Sequence, residues 1–476
     1  MADPVKPGIQ RNPIAFGDLR GWIDALRKEN ELAEIDAEVN WDVELGNIIR
    51  MGQGTGHGPA FLFNNIKDYN QPNAVSSQVF TGGQGSYSRL AMMFGMPRDT
   101  PVRDLVEVCR TIFNKQVTPN TVKTGAVKEH ILKGDDIDLL KFPVPKWNRG
   151  DGGRYILTYA GCVTKDPDSD VHNIGIYRGM VLDKDRIGVL LWRAQGWGTH
   201  YAKHMERGDK MPVAFVIGWE PSMGFTGGAP IPRSISEYDI MGSIRGKPVD
   251  LVDCETVPLQ VPADAEMVIE GLIHPDNLVE EAPFGEFPGT YGPKQMCPVV
   301  EITGIMQRSD AMYHTILTGF PPTENNLMNW LPRSATVRQD AERAVPSVKQ
   351  ALVKCDPYSG GNGMYEAFVS IDKRLEGDPK NVIAAVLGGR CQAKYCVVVD
   401  TDIDLYDERQ INWALNTRVQ PHRDVITFPT MTGAPLDPSG PPRQSEKMGI
   451  DATVPLDGDK FTFSRVTVPG SDEVEW

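Results

Sequence analysis

Tyr155-Ile-Leu-Thr-Tyr-Ala-Gly-Cys-Val163 is a run of aromatic, β-branched and small residues with no helical repeat, and it reads as a strand. Four runs of similar character follow: Gly188-Val-Leu-Leu-Trp192, Pro212-Val-Ala-Phe-Val-Ile217, Ala265-Glu-Met-Val-Ile269 and Pro298-Val-Val-Glu-Ile302. Several are bounded by Gly or Pro. From about residue 120 to 310 this pattern predicts a β-rich central domain with inserted helices, one of them from about Thr199 to Glu206. On the N-terminal side, Leu19, Trp22, Ile23 and Leu26 share one face of a helix that starts near Asp18 and docks on a sheet. On the C-terminal side comes a polar helical stretch, Ser334 to Leu352, in which Pro346 marks a break or a new start. Met364 to Ile371 and Tyr395 to Asp400 then read as buried strands and Asp407 to Thr417 as a helix, giving a second α/β unit. The tail beyond Thr427 is rich in Pro, Gly and Asp and lacks helical periodicity over most of its length.

The 476 residues suffice for about three domains. A net charge of -14 argues against a phosphate-backbone binder, so no nucleic-acid partner is expected. No apolar run approaches the roughly 18 residues of a membrane span. The start Met-Ala-Asp-Pro-Val-Lys-Pro-Gly has no secretory pattern, which predicts a cytoplasmic protein. Seven scattered cysteines without a C-x-x-C pair fit reduced thiols buried in a cytosolic enzyme. Gly54-Thr-Gly-His-Gly58 and Gly82-Gly-Gln-Gly85 match neither a dinucleotide fingerprint nor a P-loop.

Chemistry concentrates in Glu281-Ala-Pro-Phe-Gly-Glu286-Phe-Pro-Gly, where Pro283, Gly285, Pro288 and Gly289 keep the segment from being helix. Five residues along a helix would turn the two carboxylates to different faces, whereas a stiff loop can aim both at one spot. Carboxylates that share a site repel, so one pKa rises and that group can donate a proton near pH 7. Among 63 acidic residues, a solvated pair is the competing reading. Other segments are equally two-sided. In His172-Asn-Ile-Gly-Ile-Tyr-Arg178, a β segment, Arg178 either clamps a carboxylate or phosphate or lies on the surface. Asn173 either gives its carbonyl oxygen to Mg²⁺ or Mn²⁺ or turns the chain. Thr199 can cap a helix whose first turn holds His200, a place that suits a phosphate or metal-bound anion as well as a solvated imidazole. Glu237 falls in the first turn of another helix, where the helix dipole alone accounts for it. Lys447 reaches a phosphate or is solvated.

Together these segments carry a resemblance. Asn-Ile-Gly-Ile-Tyr-Arg at 173 to 178, Ser-Glu-Tyr at 236 to 238, Val-Pro-Ala-Asp-Ala-Glu-Met-Val-Ile-Glu-Gly at 261 to 271, Glu-x-Pro-Phe-Gly-Glu at 281 to 286 and Lys-Met-Gly-Ile-Asp-Ala-Thr at 447 to 453 stand in order. From about residue 15 to 455 the chain resembles the UbiD family, decarboxylases that use prenylated FMN. The resemblance implies an α+β and α/β multidomain fold. Its parts would be an N-terminal α/β domain (1–118), a central split β-barrel like that of flavin reductases (119–310), and a C-terminal α/β oligomerisation domain with the tail (311–476).

It also implies the activity: reversible, non-oxidative decarboxylation of an aromatic, heteroaromatic or α,β-unsaturated carboxylic acid through a covalent prenylated-FMN adduct. Arg178, Glu281 and Glu286 match the family's Glu-Arg-Glu network, with Glu286 as the proton donor. Arg178 favours ionised glutamate, so burial and Glu281 would have to raise the Glu286 pKa against it. Asn173 and Glu237 match ligands of the divalent metal, Mn²⁺ or Mg²⁺, that bridges the flavin phosphate, and K⁺ accompanies it. His200 is taken as the third ligand, with Gln195 or a water as fallback. Ile176, Tyr177, Arg178, Thr199, Tyr201 and Met223 would line the cofactor, and Lys447 would stand near its phosphate. For the substrate pocket the candidates are Met223, Phe225, Phe320, Asn325, Asn326, Leu327 and the loop near Pro435. The implied partners are the acid substrate, a flavin prenyltransferase that supplies the cofactor, and a second copy of the chain in a homodimer or higher homo-oligomer. Two rivals are a catalytically silent flavin-binding or assembly subunit of the same fold, and a glycoside hydrolase using the paired glutamates.

Overall fold

The computed structural model describes residues 11–53, 58–71, 74–169, 171–192, 195–281, 283–354, 365–441, 443–459 and 461–466. They fall into two compact units, one reaching to Pro332 and the other starting at Arg333.

The first unit opens with the helix Leu19–Lys28, whose Leu19, Trp22, Ile23 and Leu26 are all buried, as their spacing predicts. Asp18 caps it by accepting from Gly21 N at 2.9 Å. Nearby strands Leu32–Ile35, Ala60–Phe63 and Val79–Thr81 form a mixed sheet completed by Tyr313–His314, which returns from far along the chain to pair in parallel with Val79–Thr81.

The central sheet is antiparallel throughout. Its path runs Tyr155–Leu157, Gly179–Val181, Arg186–Val189, Gln295–Gln307, Met267–Glu281, Met211–Ile217, Gly161–Lys165, His172–Ile176, with His130–Leu132 added beside Gln295–Gln307. Eight of these strands curl into a nearly closed barrel. The apolar run at 155–163 is two strands rather than one. The break falls at Thr158 and Tyr159, whose hydroxyls bond Thr315 Oγ1 at 2.5 Å and Gln84 Oε1 at 2.6 Å. The two halves then sit far apart in the strand order. The strand read at Ala265–Ile269 is the start of a 15-residue strand, Met267–Glu281. Its second half carries polar residues and is half exposed, so no apolar run marks it, yet its pairing with Gln295–Gln307 ends on a fully buried Glu281.

The second unit holds a five-stranded sheet in the order Val348–Val353, Glu366–Ile371, Tyr395–Asp400, Gln444–Ala452, Val425–Thr432. The helix Glu408–Arg418 is capped by Asp407, close to expectation. Met364 lies outside the described residues. The helix expected over 334–352 instead spans Glu324–Ala344, and Val348–Val353 is a strand whose Val348, Ala351, Leu352 and Val353 are buried in the sheet. The chain does break at Pro346, but into a strand. The tail beyond Thr427 supplies most of the Val425–Thr432 strand and all of the Gln444–Ala452 strand.

Glu324, at the start of its helix, is buried and accepts from Gly82 N at 2.7 Å and Gln84 N at 2.6 Å. Burial pushes its carboxyl up to about 7. A carboxyl whose folded pKa exceeds its unfolded value, about 4.3, supports folding fully below that value, and the support is lost as pH rises through about 7. The melting temperature of the first unit is therefore expected to fall between pH 5 and 8 more steeply in the native protein than in Glu324→Gln. Parallel slopes in thermal melts would count against this.

Candidate active site

Arg178 stands two residues past the strand His172–Ile176, and Glu281 is the last residue of Met267–Glu281. Glu286 follows the two-residue strand Phe284–Gly285, which pairs with Tyr291–Gly292 in a tight hairpin. The hairpin turns at Pro288 and Gly289. Gly289 has φ +92°, and its N–H returns to Glu286 O at 2.9 Å while Glu286 N donates to Thr290 O at 2.9 Å. The Pro and Gly content thus turns the hairpin that brings Glu286 to Arg178, whereas Glu281, expected on the same stiff loop, is instead the end of a long strand and is placed by its pairing opposite Gln295.

Arg178 Nε donates to Glu281 Oε1 at 3.0 Å and Nη2 to Glu281 Oε2 at 2.8 Å, a two-pronged pair, while Nη1 bonds Glu286 Oε1. Arg178, Glu281 and Glu286 are 7%, 0% and 7% exposed. Gly292 makes room for the guanidinium, since a Cβ there would lie 2.7 Å from Nη1. Phe284 lies 5.7 Å below the guanidinium carbon and packs on Tyr155 at 4.2 Å. Burial raises the Glu286 carboxyl above the usual carboxylate range; Arg178 works against the rise and Glu281 adds to it. Burial opposes the charge on Arg178 too, but its two carboxylates more than offset that and keep it cationic.

The same strand carries Asn173 at its other end. Asn173 Nδ2 donates to Glu237 Oε1 at 3.1 Å, and Ile174 N donates to Glu237 Oε2 at 2.7 Å. Glu237 stands in the first turn of Glu237–Arg245, behind the Ser236 cap, and burial pushes its carboxyl up to about 7. Asn173 Oδ1 is buried with no hydrogen-bond partner among the described residues. It points at the start of the helix Gly196–Arg207, where a Cβ on Gly196 would come within 2.0 Å of it. This helix begins three residues before Thr199, so Thr199 does not cap it. Its hydroxyl bonds back to Gln195 O at 3.2 Å. His200 therefore lies in the second turn, its Nδ1 2.9 Å from Thr164 Oγ1, and burial lowers its pKa to about 4, so the ring is neutral at pH 7. Gln195 Oε1 accepts from Trp192 N and Trp197 Nε1 at 3.2 and 3.0 Å.

Tyr177 stacks on Trp197 at 4.2 Å and 7°, with its ring across Gly175, where a Cβ would be 2.3 Å from Cζ. Ile176 and Met223 lie beside glycines as well: a Cβ at Gly227 would be 3.2 Å from Ile176 Cδ1, and one at Gly161 2.7 Å from Met223 Sδ. Tyr201 packs in the barrel core and donates to Pro275 O at 3.1 Å. Lys447 is on Gln444–Ala452 in the second unit, where it is buried and donates to Leu387 O at 2.6 Å. Of the pocket candidates, Phe225 is fully buried edge-on to Phe94 at 5.2 Å, and Phe320 is 72% exposed. Asn326 is occupied with backbone: its Oδ1 accepts from Thr323 N at 2.9 Å and its Nδ2 donates to Phe287 O at 3.2 Å. Among the described residues no three His, Cys, Asp or Glu side chains cluster as a metal-holding group. Asn173 and Glu237 instead pair an amide with a carboxylate.

One residue escaped the reading of the sequence. Asp151 is buried, accepting from Gly285 N at 2.9 Å and Asn148 N at 2.8 Å, and so ties down the residue before Glu286. The turn signal Asn148-Arg-Gly-Asp151-Gly-Gly153 marks a loop but not its target.

Three family profiles match the chain in sequence: the N-terminal domain of 3-octaprenyl-4-hydroxybenzoate carboxy-lyase over residues 23–109, its Rift-related domain over 120–321 and its C-terminal domain over 326–452. A phenolic acid decarboxylase of Bacillus subtilis (strain 168) is 32% identical over 458 residues, 93% of each chain. Among solved structures, vanillic acid decarboxylase of Sedimentibacter hydroxybenzoicus in closed form is 31% identical, with TM-score 0.87 over 96% of this chain and 97% of that one. An evolved dimeric form of the UbiD-class enzyme HmfF of Pelotomaculum thermopropionicum, in complex with prFMN, is 33% identical, with TM-score 0.82 over 96% and 99%. Its three-domain architecture and these relatives make the chain a carboxy-lyase. It belongs to the UbiD family.

Removing the guanidinium leaves Glu281 buried without its counter-charge. Arg178→Met is expected to destabilise the first unit by about 3–5 kcal/mol, read by urea denaturation. A loss under about 1 kcal/mol would mean that the pair behaves as an exposed one.

Proposed function

We propose that this chain catalyses the reversible, non-oxidative decarboxylation of an aromatic, heteroaromatic or α,β-unsaturated carboxylic acid with prenylated FMN as cofactor, and that Glu286 delivers the proton. The observation that carries this reading is a carboxyl buried against an arginine it shares with a second carboxylate, its proton held above the usual range. That one relative is a phenolic acid decarboxylase, another a vanillic acid decarboxylase, and a third was solved with prFMN supports the substrate class and the cofactor.

The residues fit the group. A buried, unpartnered amide oxygen on Asn173 beside the Glu237 carboxylate is a hard-oxygen donor set for Mn²⁺ or Mg²⁺. The neutral imidazole of His200 is in the right protonation state for a third ligand. We assign the metal to Asn173, Glu237 and His200, with K⁺ accompanying it, and the cofactor lining to Ile176, Tyr177, Arg178, Thr199, His200, Tyr201 and Met223. Lys447 on the phosphate side is assigned by the resemblance alone. When bound, prenylated FMN supplies an electron sink for the pair left behind as CO₂ departs.

The chain's own part is acid chemistry. Glu281 holds Arg178 through Nε and Nη2, leaving Nη1 to face Glu286. With Glu286 protonated, Nη1 can orient the substrate carboxylate. After CO₂ leaves, Glu286 gives its proton to the carbon, and its new charge is met by Arg178. In the reverse direction, at high bicarbonate, the ionised Glu286 takes the proton back. A flavin prenyltransferase would supply the cofactor, and the working form would be a homodimer or higher homo-oligomer in the cytoplasm. No helix among the described residues is long and apolar enough to cross a membrane.

Mass spectrometry of the small molecule released from protein made with and without a flavin prenyltransferase is expected to find prenylated FMN only in the first case. No flavin in either preparation, with metal and K⁺ supplied, would end this reading. Glu286→Gln is expected to keep the cofactor and lose turnover by at least about 10²-fold, in an assay of CO₂ release. Near-normal turnover would remove Glu286 from the mechanism.

A further inference from the structure

The hairpin that carries Glu286 is held from outside by one segment of chain. Thr318 Oγ1 donates to Gly285 O at 2.5 Å and Asn326 Nδ2 donates to Phe287 O at 3.2 Å, so the peptide carbonyls on both sides of Glu286 are tied to side chains from 318–326. Thr318 is 5% and Asn326 1% exposed, which makes each bond costly to lose. Between these two ties, Gly289 is pressed on Phe320: a Cβ there would lie 3.1 Å from Phe320 Cα and from Pro321 Cδ. From the barrel side, Asp151 Oδ1 accepts from Gly285 N at 2.9 Å, so Gly285 is gripped at both its N–H and its carbonyl.

We propose that Thr318, acting with Asn326 and Asp151, is a positioning residue that fixes where the Glu286 carboxyl stands relative to Arg178. The inference rests on the reading of Glu286 as proton donor for its catalytic consequence, though not for its geometry. A proton donor must be held within tenths of an ångström of its working place, and a two-residue strand cannot hold it unaided. Without the Thr318 tie the Gly285 carbonyl loses a buried partner and the hairpin can lift, letting Glu286 reach water and leave Arg178. The groups facing this place are Arg178, Glu281 from Met267–Glu281, and Asp151. Around them lie Tyr155, whose hydroxyl donates to Pro283 O at 3.3 Å, and Cys297 from Gln295–Gln307, whose thiol lies 3.8 Å from Glu281 Oε2. Substitution at Thr318 changes none of these charges.

The test uses the whole, cofactor-free chain. The infrared carboxyl band present in the native protein and missing in Glu286→Gln reports the titration midpoint of Glu286. In Thr318→Val that midpoint is expected to drop toward the ordinary glutamate value of about 4.3, while Thr318→Ser, which keeps the hydroxyl, retains the native midpoint. In enzyme loaded with prenylated FMN, Thr318→Val is expected to lose about tenfold or more in kcat at unchanged KM, with the alkaline limb of its pH profile moved to lower pH, and Thr318→Ser to lose little. A native midpoint in Thr318→Val, or a shift in Thr318→Ser as large as in Thr318→Val, overturns the proposal. Where Glu286→Gln has lost its turnover, so does a shifted midpoint with native kcat. If Thr318→Val does not fold, Thr318→Ala, which removes the hydroxyl without adding bulk, takes its place. Should Glu286→Gln keep its turnover, the proton-donor reading falls, while the midpoints still decide the positioning.

Discussion

Two buried carboxylates sharing one buried guanidinium leave one surplus negative charge if all are ionised. A low-dielectric interior does not hold that charge cheaply, and the relief open to it is a proton. Glu281 takes the two-pronged side of Arg178, so Glu286 is the member left with one bond and a raised pKa. Much of the surrounding structure keeps this arrangement dry and fixed. Gly292 leaves room for the guanidinium, Phe284 and Tyr155 floor it, and Asp151, Thr318 and Asn326 hold the hairpin that carries the acid.

The barrel explains how residues so far apart in sequence meet. One short strand, His172–Ile176, carries the orphaned Asn173 oxygen near its start and ends two residues before Arg178, so the candidate metal ligand and the acid network belong to one rigid piece of backbone. The long Met267–Glu281 strand crosses the sheet and ends inside it, and its bulges at Glu270/Gly271 and between Ile273 and Leu278 bend it on the way. The site therefore inherits its precision from the sheet rather than from loop conformation, apart from Glu286, which needs the added ties.

Where a residue's role depends on its own neighbours in sequence, it was legible. The 3.6-residue repeat of Leu19, Trp22, Ile23 and Leu26 made a helix with that face buried, and the prolines and glycines from 283 to 289 made a hairpin that is not helix. Glu237 stood in the first turn after Ser236. Where a distant partner decides, the reading slipped. Thr158 and Tyr159 look like strand residues, yet the run splits there into Tyr155–Leu157 and Gly161–Lys165, which take places far apart in the sheet. Val348–Val353 continues a helical pattern until a sheet offers its buried edge positions.

From the sequence alone came the order of the motifs, the strand-rich middle, the helix at 19–28 and the non-helical turn that carries Glu286, because these follow from local periodicity and backbone stereochemistry. Tertiary structure decided the direction in which the Glu286 pKa moves. Composition shows an arginine and two acids, but whether burial or the arginine prevails depends on solvent exclusion by strands from across the chain. It also decided which residues support the acid, since Asp151, Thr318 and Asn326 reach it only after the barrel has closed and brought residues 148–151, 283–292 and 318–326 to one place.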